Sequence, residues 1–254
     1  MSADTPPNHL PWIESHDPLP PVETAWGMDS EAPGLLAAGA DLGVNRLLEA
    51  YGQGIFPWFN PDQPVLWWSP DPRMVLQIKD FKLHRSLRKT LARYASHPQF
   101  ELCFDRSFDQ VIEACSKSPR EGQNGTWIVP AMVEAYKALH QAGHAHSVET
   151  WLDGKLVAGL YFVNMGRAVF GESMFSTISD GSKMALAALV QVCKQHGIVA
   201  IDCQQNTPHL ASMGAKEMSR SAFLNLTHTA KQAPSPDWQN ATLDWDAWRS
   251  SQAA

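Results

Sequence analysis

Apolar and polar positions alternate along the second half of the chain in a way that predicts an antiparallel meander. The alternation has a period of two from Ala145 to Leu152, from Lys155 to Val163 and from Arg167 to Ser176. Strands have this period because successive side chains point to opposite faces of a sheet. Asp153-Gly154 joins the first two segments and is a strong signal for a two-residue hairpin turn. The sequence therefore predicts three consecutive antiparallel strands.

Helical spacing replaces this alternation after residue 180. Apolar residues recur every three to four positions from Met184 to Cys193, and Gly197 is a typical helix end. The apolar run Ile198–Ile201 then predicts a buried strand. A meander, a crossing helix and a further strand are the central units of the GNAT acyltransferase fold, in which the strands before and after the helix separate to form the cleft. This analogy concerns the fold and leaves the function open.

The segment between residues 71 and 143 predicts two strands and three helices that precede the meander. They are a strand at Met74–Ile78, a basic helix within Lys79–Arg93, a strand at Phe100–Phe104, a helix at Phe108–Cys115 capped by Ser107, and a helix from Pro130 to Gly143. Together with the meander they predict an α+β domain with a mixed, largely antiparallel sheet. We expect this GNAT-like domain to span residues 71–254, with a surface tail from about Ala233.

The first 70 residues predict a small, separate domain. Residues 1–33 are rich in Pro, Asp and Glu and predict an irregular lead-in, and a short helix capped by Asp41 follows and ends at Gly52. The aromatic and proline-rich run from Ile55 to Arg73 predicts a rigid loop, because proline excludes helix interiors and central strands. A boundary near residue 70 is expected.

Composition indicates an ordinary globular protein. The chain has 254 residues with 44% apolar content, sufficient for a substantial core, and no run of eighteen apolar residues that would span a membrane. The start of the sequence lacks the pattern of a signal peptide, and the four cysteines form no Cys-x-x-Cys pair. We therefore expect a cytoplasmic protein without disulfides. No heptad or spare apolar face stands out, which favours a monomer.

The net charge of −6 argues against a protein that coats nucleic acid indiscriminately. One stretch, Lys79–Arg93, nevertheless holds six cations against the single acid Asp80. In a helix Arg85, Arg88 and Lys89 lie on one stripe, and the leucines of the segment lie on another. The basic stripe predicts either an ordinary solvated face or a local contact with nucleic acid.

Two acids, Glu172 and Asp202, lie in segments that otherwise predict strands of a buried sheet, where an unpaired carboxylate is costly. Alternation places Gln204 on the same face as Asp202, and places Glu172 with Met174 and Ser176 on the opposite wall of the cleft. The side chains of this cleft include no obvious base that titrates near neutral pH. Such a cleft suits a nucleophile that must be oriented but does not need a strong base to remove its proton. A peptide α-amino group, with a pKa of about 7.7 to 8.0, has this property. The alternative is that both acids bind nearby backbone N–H groups.

Metal binding and cysteine chemistry are not expected. His140 and His144 have the spacing of a helical zinc site, but Gly143 ends the helix between them. We expect His144 and His146, on the first meander strand, to line the core or the cleft. Cys203 points away from Asp202 and has no adjacent base. Four tryptophans lie in predicted loops, where they either pack or stack on a ligand such as an RNA end: Trp58, Trp67, Trp68 and Trp127.

Six segments, in order over about residues 33 to 225, resemble the bacterial leucyl/phenylalanyl-tRNA–protein transferase family. They are YGQGIFPWF (51–59), WWSPDPR (67–73), GTWI (125–128), HAHSVE (144–149), GESMFS (171–176) and IDCQ (201–204). The resemblance implies two domains, the larger GNAT-like, and transfer of Leu or Phe, with Met as a third candidate, from tRNA to the N-terminal Arg or Lys of a protein. The product is an N-degron, and no cofactor is required.

The resemblance also implies roles for individual residues. By position, Glu172, Asp202 and Gln204 match the family's catalytic residues. We expect Asp202 to orient Gln204, Gln204 to position the amine, and Glu172 to help hold the cationic acceptor, with Asp202 as a second candidate for that contact. Tyr51, Trp58 and Trp127 match aromatic residues around the terminal adenosine and aminoacyl group. Arg85, Arg88 and Lys89 occupy the place of the tRNA-binding patch. We expect the aminoacyl pocket to be apolar and to include Leu160, Val169 and Leu189.

Two other functions remain open from the sequence. An acyl-CoA-dependent N-acetyltransferase requires a glycine-rich phosphate loop before the crossing helix, whereas the segment Thr177–Ser182 has one glycine and an acid. That composition disfavours an acyl-CoA-dependent N-acetyltransferase. A non-catalytic RNA-binding module explains the basic helix and the tryptophans but leaves Glu172 and Asp202 without a role.

Overall fold

The computed structural model describes residues 10–118 and 128–243, which form two sheets flanked by helices. The helices are α1 (Val44–Gly52), α2 (Arg85–Ala95), α3 (Phe108–Lys117), α4 (Pro130–Gln141), α5 (Gly181–Gln195), α6 (Pro208–Ser212) and α7 (Arg220–Lys231). Short 3₁₀ turns lie at Val22–Thr24 and Ile78–Asp80. Among the described residues no helix is long and apolar enough to cross a membrane.

The first sheet is built from residues 12–68. Its strands are β1 (Trp12–Ile13), β2 (Leu35–Gly39), β3 (Phe56–Pro57) and β4 (Leu66–Trp68), in the order β1-β2-β4-β3. The prediction of a loop throughout the aromatic and proline-rich run was wrong, because β4 lies in the interior of this sheet. The segment Leu66–Trp68 contains no proline, and Pro57 lies in the edge strand β3, where a missing N–H is tolerated.

The second sheet has seven strands in the order β11-β5-β10-β9-β8-β7-β6. They are β5 (Arg73–Gln77), β6 (Phe100–Phe104), β7 (Ala145–Leu152), β8 (Lys155–Met165), β9 (Ala168–Ser176), β10 (Ala200–Gln204) and β11 (Lys216–Met218). The strands β7, β8 and β9 form the predicted meander, and β9 and β10 pair in parallel whereas the other neighbours pair antiparallel. The predicted fold class, α+β with a mixed and largely antiparallel sheet, is confirmed.

The basic helix is shorter than its charge pattern indicated. It begins at Arg85, and Lys79 belongs to the preceding 3₁₀ turn. Leu87 and Leu91 are buried against the core, and the basic stripe of α2 is exposed, as predicted. Amphipathicity therefore identified the two faces of the helix but not its first residue.

The C-terminal segment packs more closely than expected. A surface tail was predicted from about Ala233, but Trp238 is only 1% exposed. Its ring lies 4.8 Å from that of Phe162 and 5.9 Å from that of His146. A single large aromatic residue among polar neighbours produces no periodic signal, although burying its ring against the sheet is favourable. Trp245 and Trp248 lie outside the described residues.

The second sheet separates two apolar layers. Helices α2 and α5 cover one face, and α3, α4 and the first sheet cover the other. The parallel pairing of β9 with β10 consists of two positions, Val169 with Ile201 and Phe170 with Asp202. Both strands continue beyond these positions toward Ser176 and Gln204 without further pairing to each other. The two strands therefore stop pairing at the place where the cleft was predicted.

Candidate active site

A β-bulge in each of the two separating strands marks the cleft. On β9, Glu172 is the extra residue between Gly171, which pairs with Phe162, and Ser173, which pairs with Tyr161. On β10, the register with β5 shifts between Asp202 and Gln204. Bulges redirect side chains and are frequent beside active sites. The acids thus lie where the regular sheet ends.

The bulge on β9 changes the face on which Glu172 lies. Strict alternation predicted that Glu172 shares a face with Met174. Met174 instead packs on the α5 side of the sheet, and Glu172 contacts Tyr51 and Tyr136 on the other side. The extra residue breaks the period of two, so this prediction was wrong. Asp202 and Gln204 do lie together, as predicted, because the Asp202 carboxylate accepts a hydrogen bond from the backbone N–H of Gln204.

The carboxylate of Glu172 accepts three hydrogen bonds. The Tyr51 hydroxyl donates to Oε1 at 2.7 Å, the Tyr136 hydroxyl to Oε2 at 3.1 Å, and Nε2 of Gln204 to Oε1 at 2.9 Å. The two tyrosine hydroxyls are 2.5 Å apart. Sequence reasoning missed Tyr136, because it belongs to the apolar stripe of α4 and resembles a core residue. The glutamate therefore lies at the centre of a network from α1, α4, β9 and β10.

Burial raises the pKa of Glu172 to about 8, against the opposing effect of the two tyrosine hydrogen bonds, and the nearby Asp202 charge raises it further. The pKa values of Tyr51 and Tyr136 are also well above their ordinary range, mainly because of burial and secondly because of the Glu172 charge. The cleft was expected to lack a group that titrates near neutral pH. Glu172 is such a group, because burial disfavours its ionised form.

Asp202 forms a buried ion pair with Arg73. The Arg73 Nε donates to Asp202 Oδ1 at 2.8 Å and Nη2 donates to Oδ2 at 2.6 Å, and neither side chain is exposed. This two-point pairing is the strongest geometry between a guanidinium and a carboxylate. Asp202 Oδ1 also accepts the Gln204 backbone N–H at 2.9 Å. The cation that a buried Asp202 required is therefore supplied by the chain itself.

Sequence reasoning assigned no role to Arg73, although two signals pointed to it. It ends the WWSPDPR segment, and it stands directly before an apolar strand. A charged residue at the start of a buried strand requires a partner, as Asp202 did. The separation of 129 positions between the two residues concealed the pairing.

The tryptophans that were predicted to pack or to stack on a ligand differ in burial. Trp67 and Trp68 are buried in the first sheet, so they pack rather than stack on a ligand. Trp58 is half-buried, its ring lies 5.3 Å from that of Trp68, and its carbonyl accepts the Trp68 indole N–H at 2.6 Å. Trp58 therefore keeps part of its surface accessible. Trp127 lies outside the described residues.

One group of metal-ligand side chains occurs among the described residues. It consists of Asp105, His140 and His146, whose ligand atoms lie within 4.8 Å of one another. Nδ1 of His146 is hydrogen-bonded to Asp105 at 2.6 Å, and the His140 ring stacks on Phe108 with centroids 4.3 Å apart. His146 and His140 therefore already have partners within the protein, namely Asp105 and Phe108.

The four cysteines form no disulfide. Cys203 lies on the face of β10 opposite Asp202, where it packs in the α5-side apolar layer. Burial raises the pKa of Cys203 to about 12, which leaves an inert thiol. The site's chemistry therefore does not involve this neighbour of Asp202.

Leu160, Val169 and Leu189, predicted for the aminoacyl pocket, are buried together in the apolar layer under α5. They lie on the opposite side of the sheet from the Glu172 network. Between the two sides, β9 and β10 are paired only at Val169 with Ile201 and at Phe170 with Asp202. Their participation in a pocket remains a prediction.

Comparison with known proteins identifies the family of the chain. Residues 75–228 match the leucyl/phenylalanyl-tRNA protein transferase family, and residues 40–71 match its N-terminal domain. The leucyl/phenylalanyl-tRNA–protein transferase of a Polaromonas species is 57% identical over 239 residues, covering 94% of each chain. The relative of that name from Albidiferax ferrireducens is 54% identical over 245 residues, covering 96% of each chain.

This chain belongs to the leucyl/phenylalanyl-tRNA–protein transferase family. It is therefore an aminoacyltransferase that uses aminoacyl-tRNA and protein as substrates. Among solved structures, L-PGS from Bacillus licheniformis has a TM-score of 0.36 at 13% identity and covers 69% of this chain and 57% of its own. A ribosomal-protein-alanine N-acetyltransferase from Brucella melitensis has a TM-score of 0.30 at 13% identity and covers 57% of this chain and 97% of its own. Both TM-scores indicate only weak structural similarity to this chain.

Proposed function

We propose that the chain transfers Leu or Phe, with Met as a third candidate, from aminoacyl-tRNA to the N-terminal Arg or Lys of acceptor proteins and so creates an N-degron. We further propose that it acts as a cytoplasmic monomer. The observation that supports the transfer is the network of Tyr51, Tyr136, Glu172, Asp202 and Gln204 at the opening between β9 and β10. The family supplies the reaction class, and this network supplies the groups for it.

The reaction forms one bond and breaks one. The acceptor's α-amino nitrogen attacks the ester carbonyl carbon, the C–N bond forms, and the C–O bond to the tRNA ribose breaks. The amine loses a proton and the departing ribose oxygen gains one, so the proton balance closes without a cofactor. Gln204 is an amide and cannot act as a base, so we assign it the orientation of the amine.

The acceptor's cationic side chain is assigned to Glu172 rather than to Asp202. Both Asp202 oxygens are occupied by Arg73, and displacing this buried guanidinium would leave it without a partner. Glu172 is half-buried and remains reachable from the cleft. A guanidinium or ammonium placed beside it favours its ionised form, so acceptor binding should release a proton.

The aminoacyl side chain is assigned to the apolar layer that contains Leu160, Val169 and Leu189. An aminoacyl group whose ester lies beside Gln204 can extend through the gap between β9 and β10 toward this layer. Leu and Phe suit it because they are apolar and unbranched at Cβ. Trp58 is assigned to the terminal adenosine and the aminoacyl group. The Tyr51 side chain is 1% exposed and donates to Glu172, so its contact with these groups remains a prediction.

Replacement of Arg85, Arg88 and Lys89 by alanine is expected to weaken tRNA binding with little effect on kcat. All three side chains are exposed on α2. Loss of three phosphate contacts should reduce the slope of log Kd against log salt by about 2 to 3 units. Fluorescence anisotropy with Leu-tRNA between low and physiological salt measures this slope.

The matched control replaces Lys117, Lys155 and Lys216, three exposed lysines outside α2, by alanine. This variant changes the net charge by the same amount. An equal change in slope for both triple variants would show that only net charge matters, and would contradict the assignment of α2 as the tRNA-binding surface.

One assay tests the proposed function against its alternatives. The protein is incubated with an Arg-initiated peptide and either radiolabelled Leu-tRNA or radiolabelled acetyl-CoA, and the peptide is scored for label. We expect label from Leu-tRNA alone, and loss of transfer when the peptide's N-terminus is acetylated. Label from acetyl-CoA would instead favour an N-acetyltransferase, and label from neither donor would favour a binding module.

A further inference from the structure

We propose that Arg73 is a positioning residue for transfer: it holds the Asp202 carboxylate in place and, through it, the conformation of Gln204. This proposal rests on the roles assigned above to Asp202 and Gln204. Arg73 is completely buried, so it does not touch a substrate directly. Its effect must pass through the residues that it contacts.

The Arg73 guanidinium is held by hydrogen bonds and by two aromatic rings. Nε and Nη2 donate to the two Asp202 oxygens, and Nη1 donates to the Gly54 carbonyl at 3.1 Å. Its Cζ lies over the rings of Phe56 and Phe223, 4.7 and 4.6 Å from their centroids. Three hydrogen bonds and two cation–π contacts restrict the orientation of a planar guanidinium. The position of the guanidinium that binds the Asp202 carboxylate is therefore restricted.

Asp202 passes this orientation to Gln204. Oδ1 of Asp202 accepts the backbone N–H of Gln204 at 2.9 Å, and Gln204 has a φ of 62°. This left-handed conformation is uncommon for a residue with a side chain and requires support from its surroundings. It coincides with the bulge on β10, and in it the Gln204 amide reaches Glu172. A continuous series of contacts thus leads from Arg73 to Glu172.

The partners of Arg73 also connect distant parts of the chain. Phe56 belongs to β3 of the first sheet, Gly54 precedes that strand, and Phe223 belongs to α7. Arg73 itself begins β5, which pairs with β10. The geometry of Gln204 therefore depends on how the first sheet and α7 meet the second sheet. This dependence gives the N-terminal part of the chain a role in positioning the reacting amine.

The test compares Arg73→Met and Arg73→Lys with the wild-type full-length chain, using Leu-tRNA and an Arg-initiated peptide. We expect kcat to fall about 100-fold in Arg73→Met, the usual effect of misplacing a reacting group by about 1 Å, while KM for Leu-tRNA stays unchanged. Arg73→Lys keeps the charge but loses the two-point pairing, so its kcat should fall less. Wild-type kcat in both variants would overturn the proposal and leave the proposed function intact.

A double variant separates positioning from general structural support. Since Arg73 acts through Asp202, the variant Arg73→Met/Asp202→Asn should be no slower than the slower single variant. Multiplied losses in kcat would show that Arg73 acts independently of Asp202 and would overturn the proposal. Arg46→Met is the matched control, because Arg46 is also buried and pairs with Glu49 in α1. It should lower the melting temperature without lowering kcat.

A further variant keeps the proposal testable if Arg73→Met does not fold. Phe223→Leu leaves the Arg73 side chain and its hydrogen bonds present but removes one of the two rings beside the guanidinium. We expect a lower kcat with an unchanged KM for Leu-tRNA. Circular dichroism checks the fold of each variant. A folded Phe223→Leu variant with wild-type kcat, together with wild-type kcat for Arg73→Lys, would overturn the proposal.

Discussion

Replacement of Asp202 by alanine is expected to lower the transfer rate by about 100-fold or more while the affinity for aminoacyl-tRNA stays nearly constant. The substitution removes the acceptor for the Gln204 backbone N–H and both carboxylate oxygens that accept hydrogen bonds from Arg73. Gln204 then loses the support for its left-handed backbone, and its amide no longer has a fixed direction. The basic stripe of α2, which we propose to bind tRNA, contains neither Asp202 nor Arg73, so the affinity for tRNA should not change.

Single-turnover transfer with preformed Leu-tRNA measures the rate, and anisotropy measures the affinity. Asp202→Asn serves as the companion variant, because it keeps one acceptor oxygen and the side-chain size. Asp105→Asn is the matched control, since Asp105 is another well-buried acid and pairs with His146 at 2.6 Å. Equal losses of rate and tRNA affinity in Asp202→Ala would contradict the assigned role.

Replacement of Glu172 by glutamine is expected to remove the preference for a cationic acceptor. A hydrogen bond to a charged group contributes about 1.5 to 3 kcal/mol, so kcat/KM for an Arg-initiated peptide should fall by about 10- to 100-fold. In the wild type, acceptor binding below pH 8 requires Glu172 to lose its proton. KM for the peptide should therefore decrease as pH rises toward 8, by up to about tenfold per unit.

The α-amino group of the peptide also titrates in this range, so the variant is needed to separate the two effects. Glu172→Gln retains the titration of the amine but should lose the additional dependence of KM on pH. Steady-state kinetics from pH 6 to 9, at saturating Leu-tRNA, give both curves. Glu149→Gln is the control, because Glu149 is also buried in this sheet. A KM profile of Glu172→Gln identical to that of the wild type would refute the assignment.

The same pKa has a consequence for stability. Folded protein keeps the Glu172 proton up to about pH 8, whereas an unfolded chain releases it near 4.5. The folded state binds more protons between these values, so this group's contribution to the free energy of unfolding falls as pH rises through that window. This loss does not occur in Glu172→Gln. Between pH 5 and pH 8, the free energy of unfolding of the variant should therefore rise relative to that of the wild type by on the order of 2 to 4 kcal/mol. Thermal denaturation at both pH values measures the difference.

Local patterns predicted six of the seven strands of the second sheet along the chain, all except β11 (Lys216–Met218). The strand Phe100–Phe104 has the predicted bounds, and the hairpin at Asp153 and Gly154 joins β7 to β8. These elements follow from short-range rules, namely the period of a strand and the backbone preference of a two-residue turn. The prolines of the first sheet misled the prediction, because proline excludes a central strand only at its own position.

The sequence identified three residues of the candidate site, but it did not predict the hydrogen bonds and the ion pair that join them to their partners. Glu172, Asp202 and Gln204 were recognised because polar residues within apolar strands are costly, and because the surrounding segments resemble a family. Tyr136 and Arg73 were not recognised. Their functional neighbours are 36 and 129 positions away, and their local surroundings are those of ordinary core residues.

The sequence by itself determined the class of fold, the family, and the buried acids that require partners. Only the tertiary structure decided which partner each acid has: Arg73 for Asp202, and the two tyrosines with Gln204 for Glu172. The reason is physical. Strand and helix periods depend on neighbours a few residues apart, whereas bulges, ion pairs and desolvation depend on packing between distant segments. The pKa of Glu172, and with it the pH dependence of the reaction, belongs to the second group.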